Sequence, residues 1–205
     1  DYEFHVIDAG WVNAFAIPGG QIFVSSGLLD FLESEAELAA ILGHEIAHVD
    51  LRHCIELYQY DLAMEEVGLE EVSAVVQLPH RLLSQGFSKY QELEADYQGL
   101  HLSLSAGYEP HACVTLHERF MDHYGDRRDS TPATPGGEVI QSLEDALGSY
   151  LDSHPGSEER GRRLQRLIES NRWRLSGQSF YRGVQNHQKL IPRSEQEFRG
   201  ERVSI

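Results

Sequence analysis

Three ionisable side chains, His44, Glu45 and His48, stand inside a helical stretch whose neighbours, Leu38, Ala39, Leu42, Gly43, Ile46, Ala47 and Val49, are apolar or small. A helix that is apolar over most of its surface belongs at the centre of a domain. There, three polar groups carry a heavy desolvation cost unless a metal or hydrogen-bonding partners satisfy them. Ser34 followed by Glu37 matches a helix-opening capping box and sets the start of the segment. The chain has to build its core around this helix.

The three side chains form the pattern H-E-x-x-H in His44-Glu45-Ile46-Ala47-His48. Four residues is slightly more than one turn, so both imidazoles leave the same face and can share one ion. Zinc suits such a pair, with Zn–N distances of roughly 2.0–2.1 Å. Glu45 is rotated by about 100° from His44, towards the open side of the metal, where it can take a proton from water. Two histidines leave a catalytic zinc one protein ligand short. The arrangement with Gly at position 51 and a third His at position 54 is excluded by Leu51 and Cys54. His53 is turned away from the metal on a continuous helix, and is expected at the surface or the core edge.

A carboxylate from a second helix is the other way to complete the site. A helix is expected from about Ser88 to Ala106, stopped by Gly107, and it contains Glu92-Leu93-Glu94-Ala95-Asp96. Glu92 and Asp96 share a face, whereas Glu94 points away from both. Glu92 can then bind the metal while Asp96, one turn on, accepts a hydrogen bond from the second nitrogen of a zinc histidine. The plainer alternative is a set of acids on the solvated face of an acidic protein.

The balance of charge supports that alternative as far as it goes. Of the 205 residues, 1–170 hold 10 Lys/Arg against 30 Asp/Glu, and 171–205 hold 7 against 3, for a net charge of −16. Such a body offers no basic face for nucleic acid. No apolar run approaches the roughly 18 residues of a membrane-spanning helix. Length favours one domain, 1–171, with a tail, 172–205, packing on it. Cys54 and Cys113 show no metal-ligand spacing and read as small core residues. A chain that starts at Asp1 without a signal-peptide pattern reads as a fragment or a mature form.

The first thirty residues alternate as strands: Phe4 to Ile7, Val12 to Ile17 and Ile22 to Ser25, with a turn at Pro18-Gly19-Gly20. Further helices are expected over about 61–78, from beyond Pro110 to about Tyr124, and over about 138–150 and 157–171. Loops cover 125–137 and the stretch around His154 and Pro155. Beyond Asn171 no period is visible. The expected class is α+β, mainly helical, with a small N-terminal antiparallel sheet packed on a helical core.

Four blocks together resemble a known family. They are Asn13-Ala14-Phe15-Ala16 with Pro18-Gly19-Gly20; Gly43 to His48; Glu92 to Asp96 with Gly99; and Ser153-His154-Pro155 with Arg160. In order and spacing they are similar to the zinc peptidases typified by the CAAX prenyl endopeptidases and the HtpX heat-shock proteases, over about residues 3–168. The resemblance implies a gluzincin-like zincin fold and one zinc per chain, held by His44, His48 and Glu92 rather than Glu94. It implies Asp96 as the partner of a zinc histidine, with His154 and Arg160 facing the metal across the cleft. The expected activity is hydrolysis of peptide bonds in extended or misfolded protein segments, with Glu45 as base and His154 or Arg160 as oxyanion donor. Substrate would add as a strand along Asn13 to Ala16. The chain looks closest to bacterial periplasmic or envelope-associated members. Two competing readings are a latent, self-inhibited zinc-bearing chaperone or binding module with His154 as fourth ligand, and a non-peptide zinc hydrolase.

Overall fold

A computed structural model of the chain describes residues 1–56, 86–124, 154 and 158–205. The expected helices over 61–78 and 138–150 and the loop over 125–137 lie outside those residues. Strands β1 (Glu3–Ile7), β2 (Ala14–Ile17) and β3 (Gln21–Ser25) form one sheet in the order β1-β3-β2. β2 and β3 make the expected antiparallel hairpin. Its turn needs glycine twice, with φ at 99° for Gly19 and 86° for Gly20.

β1 corrects one detail of the expectation, because it pairs with β3 in parallel, from Glu3 opposite Gln21 to Ile7 opposite Ser25. The sheet is therefore mixed rather than antiparallel throughout. Residues 8–13 do not fold back as a second hairpin. The Ser25 hydroxyl bonds the Trp11 and Asn13 carbonyls, and the Ser26 hydroxyl and Gly27 N–H bond the Ala9 carbonyl, which carries the chain across the ends of the strands. Side-chain alternation reports strands but not their direction.

The short helix α1 (Ser26–Phe31) follows directly, capped by the Ser25 side chain. α2 (Glu35–Asp50) opens where Ser34 caps it, accepting the Glu37 N–H at 3.2 Å. The Glu37 carboxylate reaches one residue further back than the capping-box pattern, to the Glu33 N–H at 2.6 Å, and its other oxygen pairs with Arg119 at 2.7 Å. α3 (Lys89–Ser105) starts with a complete capping box of Ser88 and Gln91. α4 (Ala112–Tyr124) and α5 (Glu158–Ser170) are the next helices among the described residues. The chain continues through α6 (Arg172–Leu175), β4 (Ser179–Tyr181), α7 (Val184–Lys189) and β5 (Arg202–Ser204), with β4 and β5 paired antiparallel. The class is α+β and mainly helical.

The site is positioned by the crossing of α2 and α3. A Cβ on Gly43 would stand 2.7 Å from the Gly99 carbonyl oxygen, and one on Gly99 would stand 2.8 Å from the His44 nitrogen. Only two glycines let these backbones come so close. Apolar side chains seal the crossing on either side: Val24, Leu28, Ile41 and Phe120 against the sheet, and Leu100, Val114, Leu164 and Ile168 towards α5. Cys54 is buried, Cys113 half-buried, and both are free thiols that desolvation pushes up to about 12.

Candidate metal centre

His44 and His48 leave α2 one turn apart, and their Nε2 atoms converge to 3.0 Å. Glu92, in the first turn of α3, enters from the facing helix with Oε1 3.4 Å from His48 Nε2 and Oε2 3.5 Å from His44 Nε2. His154 closes the group from outside both helices. Its Nδ1 lies 3.2 Å from His44 Nε2 and 3.0 Å from Glu92 Oε1. All four side chains are buried, and their donor atoms lie within 4.8 Å of one another.

These separations answer whether a metal fits. Ligands at 2.0–2.1 Å around a tetrahedral zinc are separated from one another by about 3.3 Å. The four donors stand at 3.0–3.4 Å along four edges of such a figure. Imidazole nitrogen and carboxylate oxygen are also the donor types zinc takes. Beside them, neither carboxylate oxygen of the fully buried Glu45 has a hydrogen-bond partner among the described residues, although Oε1 is 3.3 Å from His154 Nε2. A buried carboxylate left without hydrogen bonds is costly. It is a group held ready for something that arrives.

The remaining valences are organised behind the donors. His44 Nδ1 faces Asp96 Oδ1 at 3.1 Å. Arg160 grips Asp96 with two nitrogens, at 2.8 and 2.7 Å, and touches Glu92 Oε2 at 2.5 Å. Burial alone would raise both carboxyls; the Arg160 charge overrides it and holds Asp96 and Glu92 well below the usual carboxylate range. At His44, burial disfavours the imidazolium, but hydrogen bonds and charge from Asp96 and Glu92 outweigh it and lift the pKa to about 9. His48 goes the other way: burial, aided by the neighbouring imidazoles, holds it well below its ordinary value against the pull of Glu92.

With this geometry in view, the comparison with protein families decides the relationship: the model described as peptidase family M48 matches residues 1–168. The chain belongs to peptidase family M48. It is 34% identical over 174 residues to a mitochondrial metalloendopeptidase OMA1 of Schizosaccharomyces pombe, covering 82% of this chain and 47% of the relative. It is 33% identical over 175 residues to the Arabidopsis thaliana protein of the same name, covering 80% and 31%. It is 30% identical over 174 residues to the metalloprotease LoiP of Escherichia coli, covering 80% and 61%. The chain thus spans between about a third and three-fifths of the length of these relatives.

Within this M48 chain the residues expected from the sequence are arranged as follows. His44, His48, Glu92 and His154 come together, with Glu45 beside His154 and Asp96 behind His44. Arg160 is buried behind Glu92 and Asp96, where it also reaches the His154 carbonyl at 3.4 Å, rather than across an open cleft. Ala14 to Ala16 lie on β2, at an edge of the sheet, with Asn13 directly before it, and all four are buried. Two residues were missed. His53 is buried rather than peripheral, with Nδ1 3.0 Å from His48 Nδ1, and Phe87 stacks on the His48 ring at a centroid distance of 3.7 Å. Neither carries a local signal: Phe87 stands outside any periodic run, and His53 follows a backbone break at Arg52, φ 62°.

Proposed function

We propose that this M48 chain is the catalytic part of a zinc-dependent endopeptidase acting on extended or misfolded protein segments. The observation that supports it most is the near-tetrahedral set of His44, His48, Glu92 and His154 donors beside the unsatisfied Glu45 carboxylate. A bound zinc would supply Lewis acidity for the scissile carbonyl and for the attacking water. His44, His48 and Glu92 hold it. Glu45 takes the proton released as water attacks and delivers it to the leaving amine. Asp96 and Arg160 fix His44 and Glu92 and keep both carboxylates charged. On this reading Arg160 works through the ligands rather than as an oxyanion donor. Residues 1–171 form the peptidase unit and 172–205 pack on it.

Substrate backbone is proposed to add to β2. Asn13 pairs its carbonyl with Ser25 N–H at 3.0 Å, so by antiparallel alternation Ala14 and Ala16 turn theirs to the outer edge. The Cys54 thiol already meets the Ala16 carbonyl at 3.4 Å, and a substrate strand would have to displace what buries this edge. Among the described residues no helix is long and apolar enough to cross a membrane. A bacterial periplasmic or envelope-associated setting is part of the same proposal; among the relatives, one is a metalloprotease of Escherichia coli and others are named as mitochondrial.

Glu45→Gln tests the reading on the purified, zinc-loaded chain with casein as substrate. Zinc content should stay at one per chain while turnover falls by roughly 10²–10⁴-fold, the usual contribution of a general base. Undiminished cleavage would reject Glu45 as the base.

One observation favours a second reading of the resting state. His154 Nδ1 fills the fourth corner that attacking water needs, and its Nε2 lies against Glu45. We read this as a self-inhibited form of the same enzyme, opened when the His154 side chain leaves that corner. His154→Ala should then raise turnover on a short peptide with zinc retained. A fall in turnover would identify His154 as a donor to the oxyanion instead.

A further inference from the structure

The outward nitrogen of His48 has an unusual partner. A neutral imidazole that offers the Nε2 lone pair to a metal carries its proton on Nδ1, and that proton needs an acceptor when the ring is buried. His44 meets this need with a carboxylate, Asp96, at 3.1 Å. His48 meets it with a second imidazole, His53, whose Nδ1 stands 3.0 Å away. Two nitrogens facing each other can share only one proton. With His48 as donor, His53 Nδ1 is the acceptor, and the proton of His53 is forced onto Nε2. That atom points at Glu94 Oε2, 3.5 Å off. A consistent sequence of donors runs from the centre outward: His48 Nδ1–H to His53 Nδ1, then His53 Nε2–H to the Glu94 carboxylate.

The fold goes to some length to make this contact. α2 stops at Asp50, and Arg52 adopts a left-handed φ of 62°, uncommon for a residue with a side chain. The bend swings His53 back against the helix it has just left. Phe87 lies flat on His48, at an interplanar angle of 21°, and so holds the plane of that ring, while its own centroid is 6.2 Å from that of His53. His53 is 3% exposed and Glu94 40%, so the sequence of groups leads from the buried centre to solvent.

We propose that His53 is a positioning residue of the metal centre, fixing the tautomer and plane of His48, with Glu94 orienting His53 in turn. The proposal rests on His48 Nε2 being a zinc ligand. It also gives Glu94 a place at the site without making it a ligand.

The test compares zinc dissociation constants of the full chain by chelator competition for wild type, His53→Leu and His53→Asn. Loss of a group that orients a ligand typically weakens metal binding by roughly 10–100-fold, the change expected for Leu. Asn, whose side-chain oxygen occupies nearly the place of Nδ1, should recover most of it. Long-range nitrogen–proton correlation spectra of the zinc-loaded wild type supply a second readout that needs no variant: His53 should carry its proton on Nε2. Equal affinity in the three proteins, or a proton on His53 Nδ1, would overturn the assignment. A wild type that binds no zinc would overturn the metal reading itself, an outcome the wild-type arm reports separately.

Discussion

At the scale of single residues, the proposed zinc site turns on which groups hold protons before a metal binds. Desolvation opposes charge on His44, yet Asp96 and Glu92 hold its pKa at about 9. A raised imidazole pKa means that the proton stabilises the fold fully below about pH 6.5 and that this contribution is lost as pH rises through about 9. Zinc competes for the same nitrogen, so between those values binding displaces one proton from His44. His48, held low by burial, is already neutral and displaces none. The expected outcome is release of about one proton per zinc at pH 7, and affinity rising about tenfold per pH unit up to about 9. Calorimetric titration in two buffers of different ionisation enthalpy measures the proton count. Release near zero would mean that His44 is neutral in the apo chain and that the pull of Asp96 is weaker than the geometry implies.

At the scale of elements, α2 and α3 act as one device because Gly43 and Gly99 let their backbones touch. Gly99→Ala places a methyl 2.8 Å from the His44 nitrogen and 2.9 Å from the Gly43 carbonyl carbon, both backbone atoms that cannot rotate aside. The helices must separate, at a cost of roughly 1–3 kcal/mol for overpacking, even though alanine favours helix more than glycine does. Separation also draws Glu92 and Asp96 away from His44 and His48. The variant should therefore lose stability and zinc affinity together, read by urea unfolding and chelator competition; a stabilised protein with unchanged affinity would show that the crossing is loose. Both helices were legible in the sequence, since a capped apolar run and the i,i+4 spacing of Glu92 and Asp96 are local facts. Their approach was legible only as the presence of Gly99 in a resembling block. His53 was misread because helical spacing assumes an unbroken helix, and the left-handed Arg52 that breaks it leaves no mark in hydrophobic period. The parallel pairing of β1 was hidden for a related reason: alternation is the same in either direction.

At the scale of the whole molecule, residues 172–205 were the least legible, because elements of three to six residues show no period. The structure gives them two tasks. The carbonyls of Gly183 and Arg182 accept the N–H groups of Glu35 and Ala36, satisfying the open first turn of the helix that carries His44 and His48. Phe180 is buried among Leu100, Val114, Leu164, Ile168 and Leu175, and Leu100 sits one turn beyond Asp96 on α3. A segment that only lay along the surface would tolerate truncation of any apolar side chain. Phe180→Ala should instead cost roughly 3–5 kcal/mol, the range for deleting a buried aromatic ring. Leu190→Ala, in the same segment but 88% exposed, should change stability by no more than about 0.5 kcal/mol. Denaturant unfolding of both variants at one saturating zinc concentration separates burial from metal linkage, because zinc bound only to the folded form stabilises each to the same extent while affinity is unchanged. Equal, small losses in the two variants would make residues 172–205 an appendage. A large loss confined to Phe180→Ala makes them part of the core that holds α3 against the helix that carries His44 and His48.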